Sequence, residues 1–99
     1  MNFDLRSTKH FDKWLAKLKD VSVKARVLAR LSRIESGNFG DYKQVRPNLF
    51  ELRFFFSSGL RVYYTIQGAQ VVILLVGGDK STQAKDIEKA NDLLEELED

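Results

Sequence analysis

The first third of the chain has the hydrophobic periodicity of two amphipathic helices. In residues 8–19 the apolar side chains recur three, four and seven positions after the first, at Phe11, Trp14, Leu15 and Leu18. This spacing places them on one face of a helix. Residues 22–36 carry a second stripe at Val23, Val27, Leu31 and Ile34, and Gly37-Asn38 ends it. We expect two neighbouring helices that form a helical hairpin.

The middle of the chain has the composition of β-strands. Residues 49–56 and 60–66 are rich in aromatic and β-branched side chains, and residues 57–59 fit a three-residue hairpin loop between them. Residues 70–76 are apolar at nearly every position, which is typical of a central strand buried on both faces. A shorter strand is predicted at residues 42–45.

The end of the chain returns to a helical pattern from about residue 81, with an apolar set at Ile87, Leu93, Leu94 and Leu97. The predicted order is α-α-β-β-β-β-α. We therefore expect an α+β fold in which two N-terminal helices pack on a four-stranded, mainly antiparallel sheet with a C-terminal helix. The chain has 99 residues and no visible repeat or linker, so we predict a single domain over residues 1–99.

The predicted hairpin divides its side chains between two faces. A three-residue loop sets Arg53 opposite Tyr63, and the same register sets Phe55 opposite Arg61. Because side chains alternate along a strand, these four share one face. Guanidinium groups match phosphate oxygens, and aromatic rings stack on bases. The pattern indicates either a nucleic-acid-binding face or the ordinary solvated face of an antiparallel sheet.

Composition and charge narrow the function classes. The absence of cysteine excludes disulfides, a thiol nucleophile and cysteine-based zinc sites. The N-terminal residues lack the apolar core of a signal peptide, and no apolar run is long enough for a membrane helix, so we expect a cytoplasmic protein without membrane contact. Residues 1–67 carry 13 Lys or Arg against 6 Asp or Glu, whereas residues 68–99 carry 3 against 8. This asymmetry indicates either a polyanionic partner for the basic body or a highly charged solvated surface.

Six short segments form an ordered pattern along the chain: FDKWL at 11–15, KAR at 24–26, GNFGDYK at 37–43, FELR at 50–53, GLRVYY at 59–64 and LLVGGDKSTQ at 74–83. In this order and spacing the chain resembles the addiction module killer protein family, a HigB-like branch of the RelE/ParE toxins. The resemblance covers about residues 8–97. It implies the RelE-like α+β fold, which agrees with the order of elements predicted above.

The resemblance also implies a function. Such proteins are toxins of type II toxin–antitoxin systems, and each is neutralised by a cognate antitoxin that usually carries a helix-turn-helix domain. We expect contact with operator DNA only through the antitoxin complex. Many RelE-like members cleave mRNA on the ribosome and inhibit translation, so the resemblance implies an endoribonuclease that needs neither metal nor cofactor.

The family pattern maps onto particular residues of this chain. The resemblance assigns catalysis to Arg53, Arg61, Tyr63 and Lys80. It assigns contacts with RNA or the ribosome to Lys43 and Arg46, to which the hairpin pattern adds Phe55. We expect Arg53 and Arg61 to stabilise charge on the reacting phosphate. We expect Tyr63 to orient the nucleotide or move a proton, and Lys80 to hold phosphate or act as an acid.

The chain departs from HigB-like nucleases in its histidine content. Its single histidine, His10, belongs to the first predicted helix, away from the proposed face. Lys80 or Tyr63 would then have to move the proton that histidine moves elsewhere. Two alternatives stay open: a ParE-like toxin that binds DNA gyrase without cutting RNA, and a decayed toxin that only binds its antitoxin. Glu51 is expected to pair with a neighbouring cation, and Asp79 to cap the last helix.

Overall fold

The periodicity of the sequence is followed closely by the fold, which a computed structural model describes for residues 2–98. The terminal residues of the predicted domain, 1 and 99, lie outside the described residues. The elements are β1 (Asp4–Ser7), α1 (Lys9–Ala16), α2 (Val21–Glu35), β2 (Tyr42–Arg46), β3 (Leu49–Arg53), β4 (Arg61–Gln67), β5 (Val71–Gly78) and α3 (Gln83–Glu98), with a 3-10 turn at Lys80–Thr82.

Side-chain caps fix the starts of both N-terminal helices. The Thr8 hydroxyl accepts a hydrogen bond from the Phe11 amide at 3.1 Å and donates one to the Leu75 carbonyl at 2.6 Å. It therefore caps α1 and also ties it to β5. Asp20 accepts from the amides of Ser22 and Val23 at 2.9 and 3.2 Å, which caps α2. No helix within residues 2–98 is long and apolar enough to cross a membrane.

The sheet has five strands in the order β1-β5-β4-β3-β2, one more than the four predicted. The additional strand, β1, pairs in parallel with β5, and the other pairings are antiparallel. Its sequence, DLRS, has only one apolar residue and so gives no strand signal. It forms because its backbone groups complete the ladder along the edge of β5. The α+β class and the antiparallel meander of the prediction are confirmed.

Helices cover both faces of the sheet. On one face the stripes of α1 and α2 pack on alternate residues of β3, β4 and β5, including Leu52, Val62 and Leu74. On the other face α3 packs Ala90, Leu93 and Leu94. The sequence predicted that this second face would either bind nucleic acid or contact solvent. Over much of the face that prediction was wrong, because α3 covers it. An amphipathic helix must bury its stripe, and α3 buries it here.

The hairpin register also differs from the prediction. Arg53 pairs with Arg61, and Glu51 rather than Arg53 lies opposite Tyr63. Strand β3 ends at Arg53, so the connection is a seven-residue stretch, here called the hairpin loop (residues 54–60). Ser57 and Ser58 adopt positive φ angles of 49° and 61° within it. Phe55 therefore lies in the loop and not opposite Arg61 on the sheet.

Close packing between α1 and β5 depends on Gly77. A Cβ atom there would lie 2.2 Å from two ring atoms of Trp14, a separation that the rigid indole cannot accommodate without moving. We expect Gly77→Ala to lower the free energy of unfolding by about 1–3 kcal/mol, because overpacking displaces the helix. Urea denaturation measures the change.

The control for this prediction is Gly68→Ala, which loses some stability through its φ of +59° but meets no atom within 4 Å of the added Cβ. Replacing Trp14 with Leu in the Gly77→Ala background should recover part of the loss, whereas combining it with Gly68→Ala should give additive effects. If the losses from Gly77→Ala and Trp14→Leu were additive, the indole would not set the distance between α1 and β5.

Candidate functional site

Two arginines lie side by side where β3 ends and β4 begins. Arg53 pairs with Arg61 across the hairpin, and Arg61 pairs with Gly78 of β5. Cross-strand partners share a face, so both guanidinium-bearing side chains project from the same side of the sheet. Asp41, which directly precedes β2, completes this row because the Arg53 amide donates to its carbonyl at 3.0 Å. We call Asp41, Arg53 and Arg61 the arginine row.

The two arginines of this row have different environments. Arg53 donates from Nε and Nη2 to the two carboxylate oxygens of Asp41, each at 3.2 Å, and its side chain is 33% exposed. Arg61 is 12% exposed and has its Nε 3.8 Å from Oε1 of Glu51. A phosphate can therefore reach Arg53 through the donors that Asp41 leaves free, whereas the Arg61 side chain is largely enclosed.

Glu51 is a fully buried carboxylate below the arginine row. Its Oε2 accepts a hydrogen bond of 2.7 Å from Nε2 of Gln83, in the first turn of α3. The expectation that it pairs with a neighbouring cation is confirmed by Arg61. Its Oε1 and the Arg61 Nε make no hydrogen bond within the described chain, although both are buried. Such under-satisfied buried groups are costly, and they are typical of functional sites.

Tyr63 lies next to Glu51 in the register and is fully buried beneath α3. Its buried hydroxyl interacts with the Glu51 carboxylate, although the contact falls short of ideal hydrogen-bond geometry. Burial, reinforced by the Glu51 carboxylate, raises the pKa of Tyr63 far above its ordinary value. The phenol therefore stays protonated at neutral pH and in this conformation does not contact a substrate.

The buried Tyr63 hydroxyl allows a simple stability test. Removing it by Tyr63→Phe should lower the free energy of unfolding by about 1 kcal/mol, because the buried Glu51 carboxylate loses the hydroxyl that interacts with it. Chemical denaturation measures this, with Tyr42→Phe at a half-exposed position as the control. A gain of stability would mean that the hydroxyl has no partner in solution.

Lys80 extends the cationic region beyond β5. It opens the 3-10 turn that leads into α3, is exposed, and its amide donates to the Ser58 carbonyl at 3.4 Å. A Cβ atom at Gly59 would lie 3.5 Å from the Lys80 Cβ and 3.7 Å from Nη1 of Arg61, so the Lys80 side chain begins near the Arg61 guanidinium. Asp79 caps the 3-10 turn that leads into α3, and not α3 itself, through its bonds from Ser81, which lower its pKa.

The other residues selected from the sequence lie around this centre. Lys43 is exposed on β2 and pairs in register with Glu51, on the same face. Arg46 forms an ion pair with Glu88 of α3, away from the arginine row. Phe55 is 81% exposed on the hairpin loop, and His10 is exposed on α1. The structure thus brings together Arg53, Arg61 and Lys80, with Lys43 at the rim, but not Arg46 or Phe55.

Arg30 of α2 supports the arginine row from the opposite side of the sheet. Its guanidinium donates to the carbonyls of Arg53, Phe39 and Asp41, the last two at 3.1 and 2.6 Å. Burial lowers its pKa, and Asp41 opposes that shift. Sequence reasoning identified neither Arg30 as a support of the arginine row nor Gln83 as the partner of Glu51. Within residues 2–98 no group of three or more His, Asp or Glu is arranged to hold a metal.

Solved toxin structures share this fold. A free-state mutant of the E. coli toxin RelE superposes with a TM-score of 0.74 at 19% identity, covering 93% of this chain and 97% of that one. The RelBE2 toxin–antitoxin complex from Mycobacterium tuberculosis matches with a TM-score of 0.65 at 19% identity, covering 81% of this chain and 100% of that one. The intact E. coli RelBE toxin–antitoxin complex matches at 0.62 and 21% identity, covering 78% and 95%. The RelE-like fold implied by the sequence resemblance is confirmed.

Sequence comparison gives the family. An uncharacterized protein of Haemophilus influenzae is 50% identical over 97 residues, which cover 98% of each chain. The family described as "Phage derived protein Gp49-like (DUF891)" matches residues 13–95, a span that includes α2, the whole antiparallel meander and most of α3. With its RelE-like fold and this match over most of its length, the chain belongs to the phage-derived Gp49-like family.

Proposed function

We propose that this protein is the toxin of a type II toxin–antitoxin system and that it cleaves mRNA on the ribosome. The observation that carries the proposal is the arginine row, in which Arg53 and Arg61 lie side by side on one sheet face with Lys80 close to Arg61. Three cations at one end of a rigid sheet suit a phosphate that gains negative charge during reaction. The RelE toxins that share the fold support the same class of activity.

The proposed chemistry uses the nucleophile within the RNA. The 2′-hydroxyl attacks the adjacent phosphorus as its proton leaves to water, and the bond from phosphorus to the 5′-oxygen breaks. The products are a 2′,3′-cyclic phosphate and a 5′-hydroxyl, which receives a proton from Lys80. Arg53 and Arg61 stabilise the pentacoordinate phosphorane, and no metal or other cofactor takes part. Holding the RNA in the attacking geometry accounts for much of the rate.

Burial changes the roles proposed for two side chains. Tyr63 is covered by α3 and stays protonated, which favours a positioning role beneath the site and leaves proton transfer to Lys80. Glu51 holds Arg61 in place from below, so its role is to orient the guanidinium. Lys43, exposed in register with Glu51, is positioned to contact the RNA backbone next to the cleaved bond.

The proposed partners follow from charge and from the structural relatives. A cognate antitoxin with a helix-turn-helix domain would neutralise the toxin by placing acidic side chains against its cations. Contact with operator DNA occurs only through that complex. The protein then acts in the cytoplasm, where ribosomes and mRNA are available. Two of the solved relatives are toxin–antitoxin complexes, which supports the antitoxin partner.

Induced expression in bacterial cells tests the proposed function. We expect growth arrest with an immediate fall in amino-acid incorporation, and rescue by co-expression of the cognate antitoxin. A DNA gyrase supercoiling assay with purified protein separates the ParE-like alternative, because that alternative predicts loss of supercoiling while translation continues. Normal growth together with antitoxin binding would indicate a decayed toxin and would contradict the proposal.

A further inference from the structure

A groove outside the arginine row runs between α2 and the hairpin loop. Its volume is about 260 Å³, and besides Ala29 it is lined by three arginines and three phenylalanines: Arg26, Arg30, Arg33, Phe54, Phe55 and Phe56. Pockets for drug-sized ligands range over ~300–1,000 Å³, so this groove suits an occupant of about one nucleotide. Of these residues, Arg30 supports the arginine row and Phe55 was expected to contact RNA, whereas the proposed cleavage uses none of the other four.

The cations of the groove are available to a ligand. Arg26 and Arg33 are exposed on α2, and neither has a carboxylate within 4 Å anywhere in residues 2–98. The Arg26 guanidinium lies 4.0 Å from the centre of the Phe56 ring, which holds it at the rim. Arg30 is already committed to backbone carbonyls at the base. The groove thus presents two guanidinium groups without ion-pair partners above a third, that of Arg30, which is bonded to backbone carbonyls.

Phe55 supplies a flat apolar surface beside these charges. Its side chain is 81% exposed, although a large aromatic ring normally gains stability by burial. Phe54, its neighbour, is buried in the core, so the loop holds one ring inward and the next outward. An exposed ring next to unpaired arginines matches the platforms on which single-stranded nucleic acids stack their bases.

We infer that this groove binds one nucleotide of single-stranded RNA, with the base stacked on Phe55 and its phosphate on Arg26 and Arg33. The inference rests on the proposed function, because it extends the RNA contact beyond the arginine row. Arg53 ends β3 and Phe54 opens the hairpin loop, so the groove adjoins the cleavage site around the end of the sheet. The bound nucleotide would thus flank the cleaved bond and help hold the RNA in register.

Binding of a short fluorescent 2′-O-methyl oligoribonucleotide tests the inference, because RNA without a free 2′-hydroxyl cannot be cut. Fluorescence anisotropy measures its affinity for the full-length protein across a range of salt. We expect Phe55→Ser to weaken binding about tenfold and Phe55→Trp to retain it, because Trp also stacks on bases. Arg33→Gln should reduce the slope of log affinity against log salt by about 0.7, the value for one phosphate contact on a single strand. Lys19→Gln removes one exposed positive charge elsewhere and should change neither quantity.

The outcomes separate this inference from the proposed function. RNA binding that depends on Phe55 in a protein that cuts no mRNA would contradict the cleavage and leave the groove assignment standing. Cleavage by a protein whose Phe55→Ser and Arg33→Gln variants bind RNA like the wild type would overturn the groove assignment alone. If those variants instead lost only affinity for the antitoxin, the groove would be a protein-docking surface and the inference would be wrong.

Discussion

Replacing Arg61 with Lys is expected to slow mRNA cleavage about a hundredfold while the protein stays folded. Lys keeps a positive charge near the buried Glu51 carboxylate, so no buried anion is left alone. It lacks the planar fork that donates two parallel hydrogen bonds to phosphate oxygens. Losing one such donor in an active site costs about 10²–10³ in rate. The measurement is the rate of product formation from a defined mRNA in a purified translation system.

Arg6→Lys provides the matched control, since Arg6 is exposed on β1 at the far edge of the sheet. We expect wild-type cleavage from it. Thermal unfolding of both variants confirms that they are folded at the assay temperature. Undiminished cleavage by a folded Arg61→Lys protein would remove Arg61 from the proposed chemistry, and Arg53 with Lys80 would have to stabilise the phosphorane alone.

Removing the Glu51 carboxylate is expected to have the largest effect on stability. Glu51→Ala leaves the Arg61 guanidinium, 12% exposed, without its anion and leaves the Gln83 amide without its acceptor. Breaking a buried ion pair by removing one partner costs about 3–5 kcal/mol, because the other charge stays desolvated. Urea denaturation of the purified variant measures the loss in the free energy of unfolding.

A double variant shows whether the isolated charge causes this loss. Glu51→Leu with Arg61→Leu removes both charges and should recover most of the stability, because apolar side chains of similar volume can replace a buried pair. Glu96→Ala, at an exposed position on α3, should stay within about 0.5 kcal/mol of the wild type. An equal loss for the single and double Glu51 variants would show that packing, and not the ion pair, dominates.

The sequence was sufficient to predict most of the elements, because their signals are local. The stripe of α2, for example, needs only residues 22–36, and all three of its buried residues, Val27, Leu31 and Ile34, belong to the predicted set. Alternation along β4 is equally local. The register error moved the pairing by two residues, so Arg53, Arg61 and Tyr63 stayed on one face although their partners changed.

Features that depend on long-range contacts could not be read from the sequence. Strand β1 forms through backbone pairing with a segment more than 60 residues away, and its side chains carry no signal of this. The position of α3 decides whether Tyr63 is exposed or buried. The apolar stripe of α3 does not show by itself that the helix packs on this face of the sheet. Phe55 left the predicted strand because the chain turns sharply at Ser57 and Ser58, where positive φ angles give no clear warning in non-glycine residues.

The candidate site was predicted only where its geometry depends on local patterns. Arg53 and Arg61 lie on strands joined by a hairpin, so their proximity followed from alternation, and Lys80 was expected just beyond the last strand. The hydrogen bond from Gln83 to Glu51 joins α3 to β3 across 32 residues, and no local pattern predicts it. The same holds for Arg30, whose contacts with three carbonyls depend on how α2 packs.

The most direct test of the central claim maps the ends of mRNA cut by the wild-type protein with ribosomes present and absent. We predict cuts that need ribosomes and that leave a 2′,3′-cyclic phosphate and a 5′-hydroxyl. A metal chelator in the quench and product-isolation steps protects these ends from later hydrolysis. Cuts that leave a 5′-phosphate, or intact mRNA on translating ribosomes, would contradict the mechanism proposed for the arginine row.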